Sequence, residues 1–253
     1  MTEKGTVAHR LAHHLATVLL APVLLAQGRA MRRVALMLPE AAGPRTGATG
    51  HGPPLRLLVV GDSAAAGVGV ADQNEALLGQ TVVTLAQHYT VHWQLLARTG
   101  ATTAGTLKHL QKTPPALFDV AVTSLGVNDV TARRALPLWL EQQQALLALL
   151  RTKFQVRRIV LSGLPPVHKF PALPQPLRWY VGNQVRRFDR VLYQWAQTQP
   201  DCAYVNLNLA FDVSWLANDK FHPGPPIYQH WGSAVAQQIQ TWVNTENIFQ
   251  GSS

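Results

Sequence analysis

The chain has 253 residues, of which 47% are hydrophobic, and its formal net charge at pH 7 is +9. This length and composition are typical of a globular protein with one α/β domain and leave room for a second. The single cysteine, Cys202, excludes an internal disulfide framework, and no Cys/His cluster has the spacing of a structural zinc site. A lone cysteine fits a reducing compartment, so we expect a cytoplasmic protein.

The basic residues are scattered through the chain in pairs, such as Arg133-Arg134 and Arg157-Arg158, and form no long basic run. They are not interleaved with aromatic residues in the pattern of an RNA-binding module. We therefore expect no nucleic-acid partner and interpret the charge as a solvated basic surface. Contact with an anionic membrane surface is the functional alternative.

Residues 1–54 differ in composition from the rest of the chain. Leu15–Ala26 is strongly apolar, yet shorter than the roughly 20 residues that cross a membrane, and it has the length of a signal-peptide core. Basic residues flank it on both sides, which opposes export. We expect a hydrophobic helix that docks on the domain or, through residues 11–27, on a membrane surface, with a cleaved signal as the alternative. Residues 38–54 are rich in Gly and Pro, which predicts a linker.

A nearly continuous apolar run, Leu55–Val60, leads directly into Gly61-Asp62-Ser63. Such a run predicts a strand of a parallel sheet that is buried on both faces. Ser63 then lies just beyond the carboxyl end of the strand, where α/β proteins bind their ligands. The alternative is an ordinary turn in which Asp62 or Ser63 caps a helix.

Strand and helix patterns alternate after this first strand. The further strand patterns are Val91–Leu96, Phe118–Leu125, Arg157–Leu161 and Ala203–Leu207. The helical patterns are Asn74–Gln87, Thr102–Gln111, Pro137–Phe154, Leu177–Gln197 and Ile227–Val243. This alternation predicts a three-layer α/β/α sandwich around a five-stranded parallel sheet within residues 55–245.

Small or polar residues follow three of the predicted strands, and a further polar cluster precedes the last helix. Ser63, Gly100 and Asn128 stand at the strand ends, while Asp219 and His222 lie three residues apart in one loop. A serine nucleophile needs a base, and the base needs an orienting carboxylate, which a single turn can supply together. The N–H groups of Ser63 and Gly100 and the Asn128 amide are donors of the type that stabilises an oxyanion.

Four separated blocks carry a resemblance to a known family. They read GDS at Ser63, RTGATT at Gly100, GVND at Asn128 and DKFHP at His222. In order and separation they are similar to the four blocks of the SGNH hydrolase superfamily of GDSL-type esterases and lipases. The resemblance covers Leu55 to about Val243, and the block after the serine reads Ala-Ala-Ala-Gly where the family more often has Leu-Thr-x-Gly. No G-x-S-x-G occurs, which argues against the α/β-hydrolase elbow.

The resemblance implies a flavodoxin-like fold and the hydrolysis of esters or thioesters without a metal or cofactor. It implies a Ser63–His222–Asp219 triad and an oxyanion hole formed by Ser63, Gly100 and Asn128. Nothing in this pattern fixes the oligomeric state.

Other residue types near these blocks allow competing interpretations. Asp212 is an alternative orienting carboxylate at a less favourable spacing from His222. Asp129 is expected to hold the GVND loop rather than to react, and Cys202 is expected to be a buried small hydrophobe.

The irregular segment Gly163–Leu177 is rich in Pro and apolar residues and follows the fourth predicted strand. We interpret it as a wall or lid of the acyl pocket, and a Pro-stiffened surface loop is the alternative. The expected substrate contacts are Asp62, Val127, Val167, Phe170 and Leu173.

These observations lead to the expectation of a serine esterase that acts on short- to medium-chain acyl esters. The enzymatic alternative is a lysophospholipase or thioesterase that acts on longer acyl chains at a membrane surface. A carbohydrate deacetylase is less favoured, because few of the expected pocket residues are polar. The non-enzymatic alternative is a membrane-docked binding module on a hydrolase scaffold.

Overall fold

The computed structural model describes residues 3–34, 38–208 and 212–246. Within these ranges it contains six strands and seven α-helices. The strands are β1 (Thr46–Thr49), β2 (Pro54–Gly61), β3 (Thr90–Ala97), β4 (Val120–Ser124), β5 (Arg158–Ser162) and β6 (Cys202–Val205). The helices are α1 (Glu3–Val34), α2 (Leu77–Leu85), α3 (Thr103–Lys112), α4 (Val127–Thr131), α5 (Leu136–Lys153), α6 (Leu177–Ala196) and α7 (Pro225–Glu246).

The strands form one sheet in the order β1-β3-β2-β4-β5-β6. Strands β2 to β6 are mutually parallel, and their order is that of the flavodoxin-like fold. The predicted α/β class and three-layer architecture are therefore confirmed. The expected strand count of five is wrong by one, because β1 adds an antiparallel edge strand beside β3.

Strand β1 lies inside residues 38–54, which the composition had assigned to a linker. All four of its residues are exposed, so it carries no apolar alternation from which a strand could be recognised. Gly47 is required in this strand, because a Cβ there would lie 2.4 Å from the ring of Trp93. The tryptophan packs across the strand at the one residue that has no side chain.

Helices cover both faces of the sheet, and the side chains of β2 alternate between the two layers. Leu55, Leu57 and Val59 belong to the apolar core beneath α2 and α7. Leu58 and Val60 belong to the core beneath α3, α5 and α6. Both faces of β2 are thus buried, as its continuous apolar run predicts.

Helix α1 packs against α6 on the outside of the second of these cores. Leu24 of α1 is buried in that core. Gln27 fixes the contact, because its side-chain Nε2 donates to the Gln175 carbonyl at 2.8 Å and its Oε1 accepts from the Leu177 N–H at 3.0 Å. Among the described residues, no helix combines the length and apolar character needed to cross a membrane.

The sheet order creates a crevice at the carboxyl ends of β2 and β4. After β2 the chain moves to β3 on one side, and it later enters β4 on the other side of β2. The loops that leave β2 and β4 therefore diverge, as they do at the switch points where α/β proteins bind ligands. Ser63 follows β2 and Asn128 follows β4, so both lie at this crevice.

Candidate active site

A tight loop after β2 carries Ser63. Gly61 is needed at its start, because a Cβ there would lie 2.4 Å from the Ala65 Cβ and 2.7 Å from the Ser124 carbonyl oxygen. The Asp62 N–H donates to that same carbonyl at 3.1 Å. These close contacts between β2 and β4 hold the serine loop against the neighbouring strand.

One turn before α7 presents both His222 and Asp219 to the serine. The His222 Nε2 lies 2.9 Å from the Ser63 Oγ, and its Nδ1 lies 2.5 Å from the Asp219 Oδ2. The other oxygen, Oδ1, accepts from the backbone N–H groups of Phe221 at 3.0 Å and His222 at 2.9 Å. The carboxylate is thereby fixed to its own turn and holds the imidazole with Nε2 directed at Ser63.

The electrostatics of Asp219 keep it ionised near neutral pH. Burial opposes the charged form, but hydrogen bonds from the His222 ring and from the backbone of His222 and Phe221 outweigh it, and the pKa of Asp219 lies below its ordinary value. An ionised Asp219 stabilises the proton on the Nδ1 of His222 and leaves Nε2 free to accept one.

Asp62 behaves in the opposite way, although it adjoins the serine. Its side chain is buried, and burial raises its pKa to about 7 despite a hydrogen bond from the Ala64 N–H and the proximity of His222. Its position bracing the turn, with Oδ1 accepting from the Ala64 N–H at 3.1 Å, is that of a structural carboxyl group.

Two backbone donors at the crevice are unused by the protein. Across the described ranges, the N–H groups of Ser63 and Gly100 donate to no protein acceptor. Gly100 adopts a φ of +75°, which favours glycine, and the space where its Cβ would stand is open. It lies exposed at the rim of the crevice rather than in the wall of the cavity beside Ser63.

The Asn128 amide stands in the first turn of α4 and lines that cavity. Its Nδ2 donates to the Ala101 carbonyl at 3.0 Å and lies 3.4 Å from the Asp62 Oδ2. The first hydrogen bond fixes the amide, whereas the second is long and weak. One N–H is thus available for exchange to a ligand at little cost.

A buried network joins the start of α3 to α4 and α5. The Asp129 Oδ2 accepts from the Thr103 N–H at 3.0 Å and from the Thr103 hydroxyl at 2.9 Å. Gln143 of α5 donates to the same hydroxyl at 3.1 Å. Asp129 has no exposed surface, and burial raises its pKa. These contacts are those of a residue that holds the loop in place.

A cavity of about 70 Å³ adjoins Ser63 and His222. Of the substrate contacts expected from the sequence, Asp62, Val127 and Phe170 line it. Its other walls include three side chains that the sequence did not single out. They are Leu216, Ile227 and Trp231.

The remaining two expected contacts lie elsewhere. Val167 is completely buried in the core and does not line the cavity. It follows Pro166 in a short 3₁₀ turn and packs inward, so it supports the segment instead of forming the wall. Leu173 lines a different, larger cavity beneath α1. The segment Gly163–Leu177 is therefore part wall and part core.

Two residues outside the four sequence blocks also hold the loops of the site in place. The buried Tyr228 hydroxyl lies 2.9 Å from the Ala64 carbonyl oxygen and 2.8 Å from the Val68 carbonyl oxygen, and its single proton is shared between these two acceptors. Glu40, in the segment assigned to a linker, accepts at one oxygen from the Thr99 N–H at 2.6 Å and the Thr99 hydroxyl at 2.8 Å. Its other oxygen pairs with Arg45. No local pattern in the sequence marks Tyr228 or Glu40, because their partners are distant in the chain.

Two competing residues are placed away from this arrangement. Asp212 is exposed, and its carboxylate accepts from the Ser214 N–H at 2.7 Å instead of facing His222. Burial raises the pKa of the Cys202 thiol to about 12, so it is not a thiolate at neutral pH.

Solved structures share this fold. A member of the lipolytic G-D-S-L family from Veillonella parvula matches with a TM-score of 0.60 at 12% identity, over 74% of this chain and 98% of that one. The psychrotrophic esterase EstA from Pseudoalteromonas sp. gives 0.58 at 17% identity, over 75% and 99%. Est24, a carbohydrate acetylesterase from Sinorhizobium meliloti, gives 0.57 at 14% identity, over 74% and 99%. A comparison with curated proteins found no match.

The sequence itself matches a family profile over most of the sheet and its helices. The matched region is residues 59–230, which begins within β2 and ends within α7. It contains the serine loop, the Asn128 loop and the Asp219–His222 turn. The chain therefore belongs to the GDSL-like lipase/acylhydrolase family, within the SGNH hydrolases, whose members are ester hydrolases.

Proposed function

We propose that the protein is a serine esterase that hydrolyses carboxylic esters with short- to medium-chain acyl groups through an acyl-enzyme on Ser63. The observation that carries the proposal is the continuous pair of contacts from the Ser63 Oγ to the His222 Nε2 and from the His222 Nδ1 to Asp219. This is the arrangement in which a weak hydroxyl nucleophile is activated by an oriented base.

In the first step the Ser63 oxygen attacks the ester carbonyl while its proton moves to the His222 Nε2. The ionised Asp219 stabilises the imidazolium that forms and keeps it in the required orientation. The carbonyl π pair moves to oxygen, which becomes the oxyanion of a tetrahedral intermediate.

The oxyanion is stabilised by the unused N–H groups of Ser63 and Gly100 and by one N–H of Asn128, which exchanges its weak contact with Asp62 for the charged oxygen. Such donors act more strongly on the oxyanion than on the neutral carbonyl, and removal of a single donor of this kind typically costs roughly 10²–10³ in kcat.

The intermediate collapses when the C–O bond to the alcohol breaks and His222 gives its proton to the leaving oxygen. Water then attacks the acyl-enzyme carbonyl while His222 takes one of its protons. The bond from the acyl carbon to the Ser63 Oγ breaks, His222 returns the proton to that oxygen, and the acid is released. No metal or cofactor is required for either half of the reaction, since proton transfers and the acyl transfer balance without one.

The size of the cavity beside the nucleophile supports a small acyl group. The volume of this cavity is about 70 Å³. An engineered apolar cavity of roughly 150 Å³ binds benzene, so a cavity of about half that volume holds roughly three carbon atoms. Its walls are mainly apolar, which is less suited to a sugar than to a hydrocarbon.

The test is hydrolysis of p-nitrophenyl acetate by the wild type and by the Ser63→Ala variant. The variant should lose roughly 10⁶ in kcat, as happens when a triad serine is removed. The matched control is Ser233→Ala, a serine of α7 outside the site, which should retain the wild-type rate. Equal rates in the wild type and Ser63→Ala would contradict the assignment of the nucleophile.

The longer-chain alternative, a lysophospholipase or thioesterase, predicts that the rate is highest for palmitate, whereas the proposed function predicts that the highest rate falls at a short or medium chain. Ester turnover of any length that depends on Ser63 would contradict the non-enzymatic alternative of a binding module.

Contact with a membrane through residues 11–27 and a cytoplasmic location stay predictions. In the part of α1 whose side chains are described, Leu15, Val18 and Leu19 are exposed, which supports an apolar outer face.

A further inference from the structure

A second cavity, of about 300 Å³, lies between α1 and the domain. Phe221 lines both this cavity and the smaller one beside the nucleophile, whereas Ser63 and His222 line only the smaller one. The Phe221 ring also packs edge-on against Phe170, with ring centroids 5.3 Å apart. Phe221 is thus the side chain that the two cavities share.

The larger cavity is mainly apolar. Its α1 wall includes Leu24 and Met31, and its α6 wall includes Leu177 and Val181. Arg133 is the one charged residue among those that line it in the described chain. Such a lining suits a hydrocarbon and offers no acidic group to a cation or a sugar.

The α1 wall is fixed in place by specific contacts. Gln27 hydrogen-bonds the backbone on both sides of Pro176, and Leu24 is buried in the core beneath α6. Gly28, which follows Gln27, lines the cavity, and a Cβ there would meet nothing within 4 Å. The helix therefore leaves open a space that ordinary side chains could fill.

The cavity has the size and lining of a ligand-binding cleft, and it is partly open to solvent. Ligand pockets begin at about 300 Å³ and have this mainly apolar lining. The volume is about twice that of a cavity that binds benzene, which corresponds to roughly ten to twelve carbon atoms.

We propose that this cavity binds the linear alkyl chain of the ester substrate, so that α1 selects substrates with chains of roughly ten carbons. The inference rests on the proposed esterase function and names the substrate class for the same site. The ester carbonyl and the first carbons lie in the small cavity, and the chain continues past Phe221 beneath α1.

The activity test compares p-nitrophenyl acetate with p-nitrophenyl decanoate. Gly28→Trp places an indole in the cavity and should lower the decanoate-to-acetate ratio of kcat/KM about tenfold or more. The matched control is Ala30→Trp, at an exposed position of the same helix, which should leave the ratio at its wild-type value. Gly28→Leu, a smaller apolar filler, should give an intermediate ratio.

The chain can belong to the acid or to the alcohol, and a second pair of substrates separates the two. If the alcohol carries the alkyl chain, Gly28→Trp should lower kcat/KM for decyl acetate relative to ethyl acetate. The decanoate-to-acetate ratio for the p-nitrophenyl esters should then stay at its wild-type value. A loss in either series supports the proposal. Wild-type ratios for Gly28→Trp in both series would overturn it, while Ser63-dependent acetate hydrolysis would leave the esterase function standing.

A binding measurement keeps the proposal testable if no ester is hydrolysed. The fluorescence of 11-(dansylamino)undecanoic acid should report binding to the full-length wild type, and Gly28→Trp should weaken its Kd about tenfold while Ala30→Trp should not. Binding that depends on Gly28 without turnover would support the alkyl site and contradict the esterase. Equal affinity in the wild type and Gly28→Trp would overturn the alkyl site.

Discussion

The two cavities that share Phe221 are built in different ways. The small one is enclosed by loops held by directed hydrogen bonds, among them those of Asp219 and Asn128. The larger one is a gap between packed helices, α1 and α6, whose walls are mainly apolar. The directed contacts hold the reacting groups in a fixed geometry, as bond making requires, whereas binding of an alkyl chain needs mainly an apolar space of the right volume.

The two cavities are also formed by different parts of the chain. The reacting groups all lie within residues 59–230, the part that matches the family. One whole wall of the larger cavity is α1, which lies outside that part. The family part thus carries the reacting groups, and α1 carries the proposed selection of substrate. A substitution in one segment can therefore be tested without changing the other.

The largest expected effect is on the polar groups around Ser63 and the small cavity, here called the polar side. Asp219→Asn should lower kcat by about 10⁴, because the amide cannot stabilise the imidazolium and favours the wrong tautomer of His222. The loss should be equal for acetate and decanoate esters, since no wall of the larger cavity changes. The matched control is Asp212→Asn, in the exposed carboxylate that faces away from His222, which should keep its rate. A loss that differs between the two esters would break the separation of the two cavities.

A second prediction concerns the stability of the polar side. Because the pKa of Asp62 is raised to about 7, the folded protein keeps this proton between about pH 4 and pH 7 while the unfolded chain has lost it. The free energy of unfolding therefore falls as pH rises through this window, by at most about 1.4 kcal/mol per pH unit, and levels off above pH 7.

Asp62→Asn removes that titration, so the variant should gain stability relative to the wild type between pH 5 and pH 7. Urea unfolding at pH 5, 6, 7 and 8 measures the difference. The control is Glu141→Gln, an exposed carboxylate of α5, whose difference from the wild type should not follow this curve. A stability difference for Asp62→Asn that is constant across the range would contradict the raised pKa.

The smallest expected effect tests whether the N-terminal segment acts only on the larger cavity, because a residue of this segment also contacts the polar side. Glu40 holds Thr99, the residue before Gly100, through two hydrogen bonds. Glu40→Ala should lower kcat about tenfold with little change in KM, since a displaced Gly100 N–H weakens binding of the oxyanion and not of the substrate.

Glu40→Gln is the informative companion, because its amide oxygen can still accept from Thr99. It should retain most of the wild-type kcat, which a general loss of stability in this segment would not produce. Steady-state kinetics on the acetate ester separate kcat from KM. A rise in KM alone, or equal losses in both variants, would remove Glu40 from the positioning of the oxyanion loop.

Much of the architecture could be predicted because its signals are local. The five parallel strands and the five long helices of the sandwich each carry the apolar periodicity of their own burial, and Leu55–Val60 shows this on both faces. Strand β1 could not be found in this way, since all its residues are exposed and it is defined only by pairing with β3.

The residues of the proposed site can be divided in the same way, into those with a local sequence signal and those without one. Ser63, Asn128 and the pair Asp219 and His222 stand in short blocks whose spacing indicates their chemistry, and the structure brings them together. Val167 was misplaced because an apolar residue in a Pro-rich segment looks the same whether it faces a cavity or the core. Glu40, Tyr228 and Gly28 carried no signal, because each acts on a residue or a space that is distant in sequence.

The amino-acid sequence by itself thus determined the α/β class, the order of the elements and the residues able to react, since these follow from local periodicity and from residue types at strand ends. Only the tertiary structure decided which oxygen of Asp219 faces His222, that β1 and Glu40 belong to the domain, and that α1 forms one wall of a second cavity. Those facts depend on side chains meeting across long stretches of chain, and packing geometry, not local pattern, sets them.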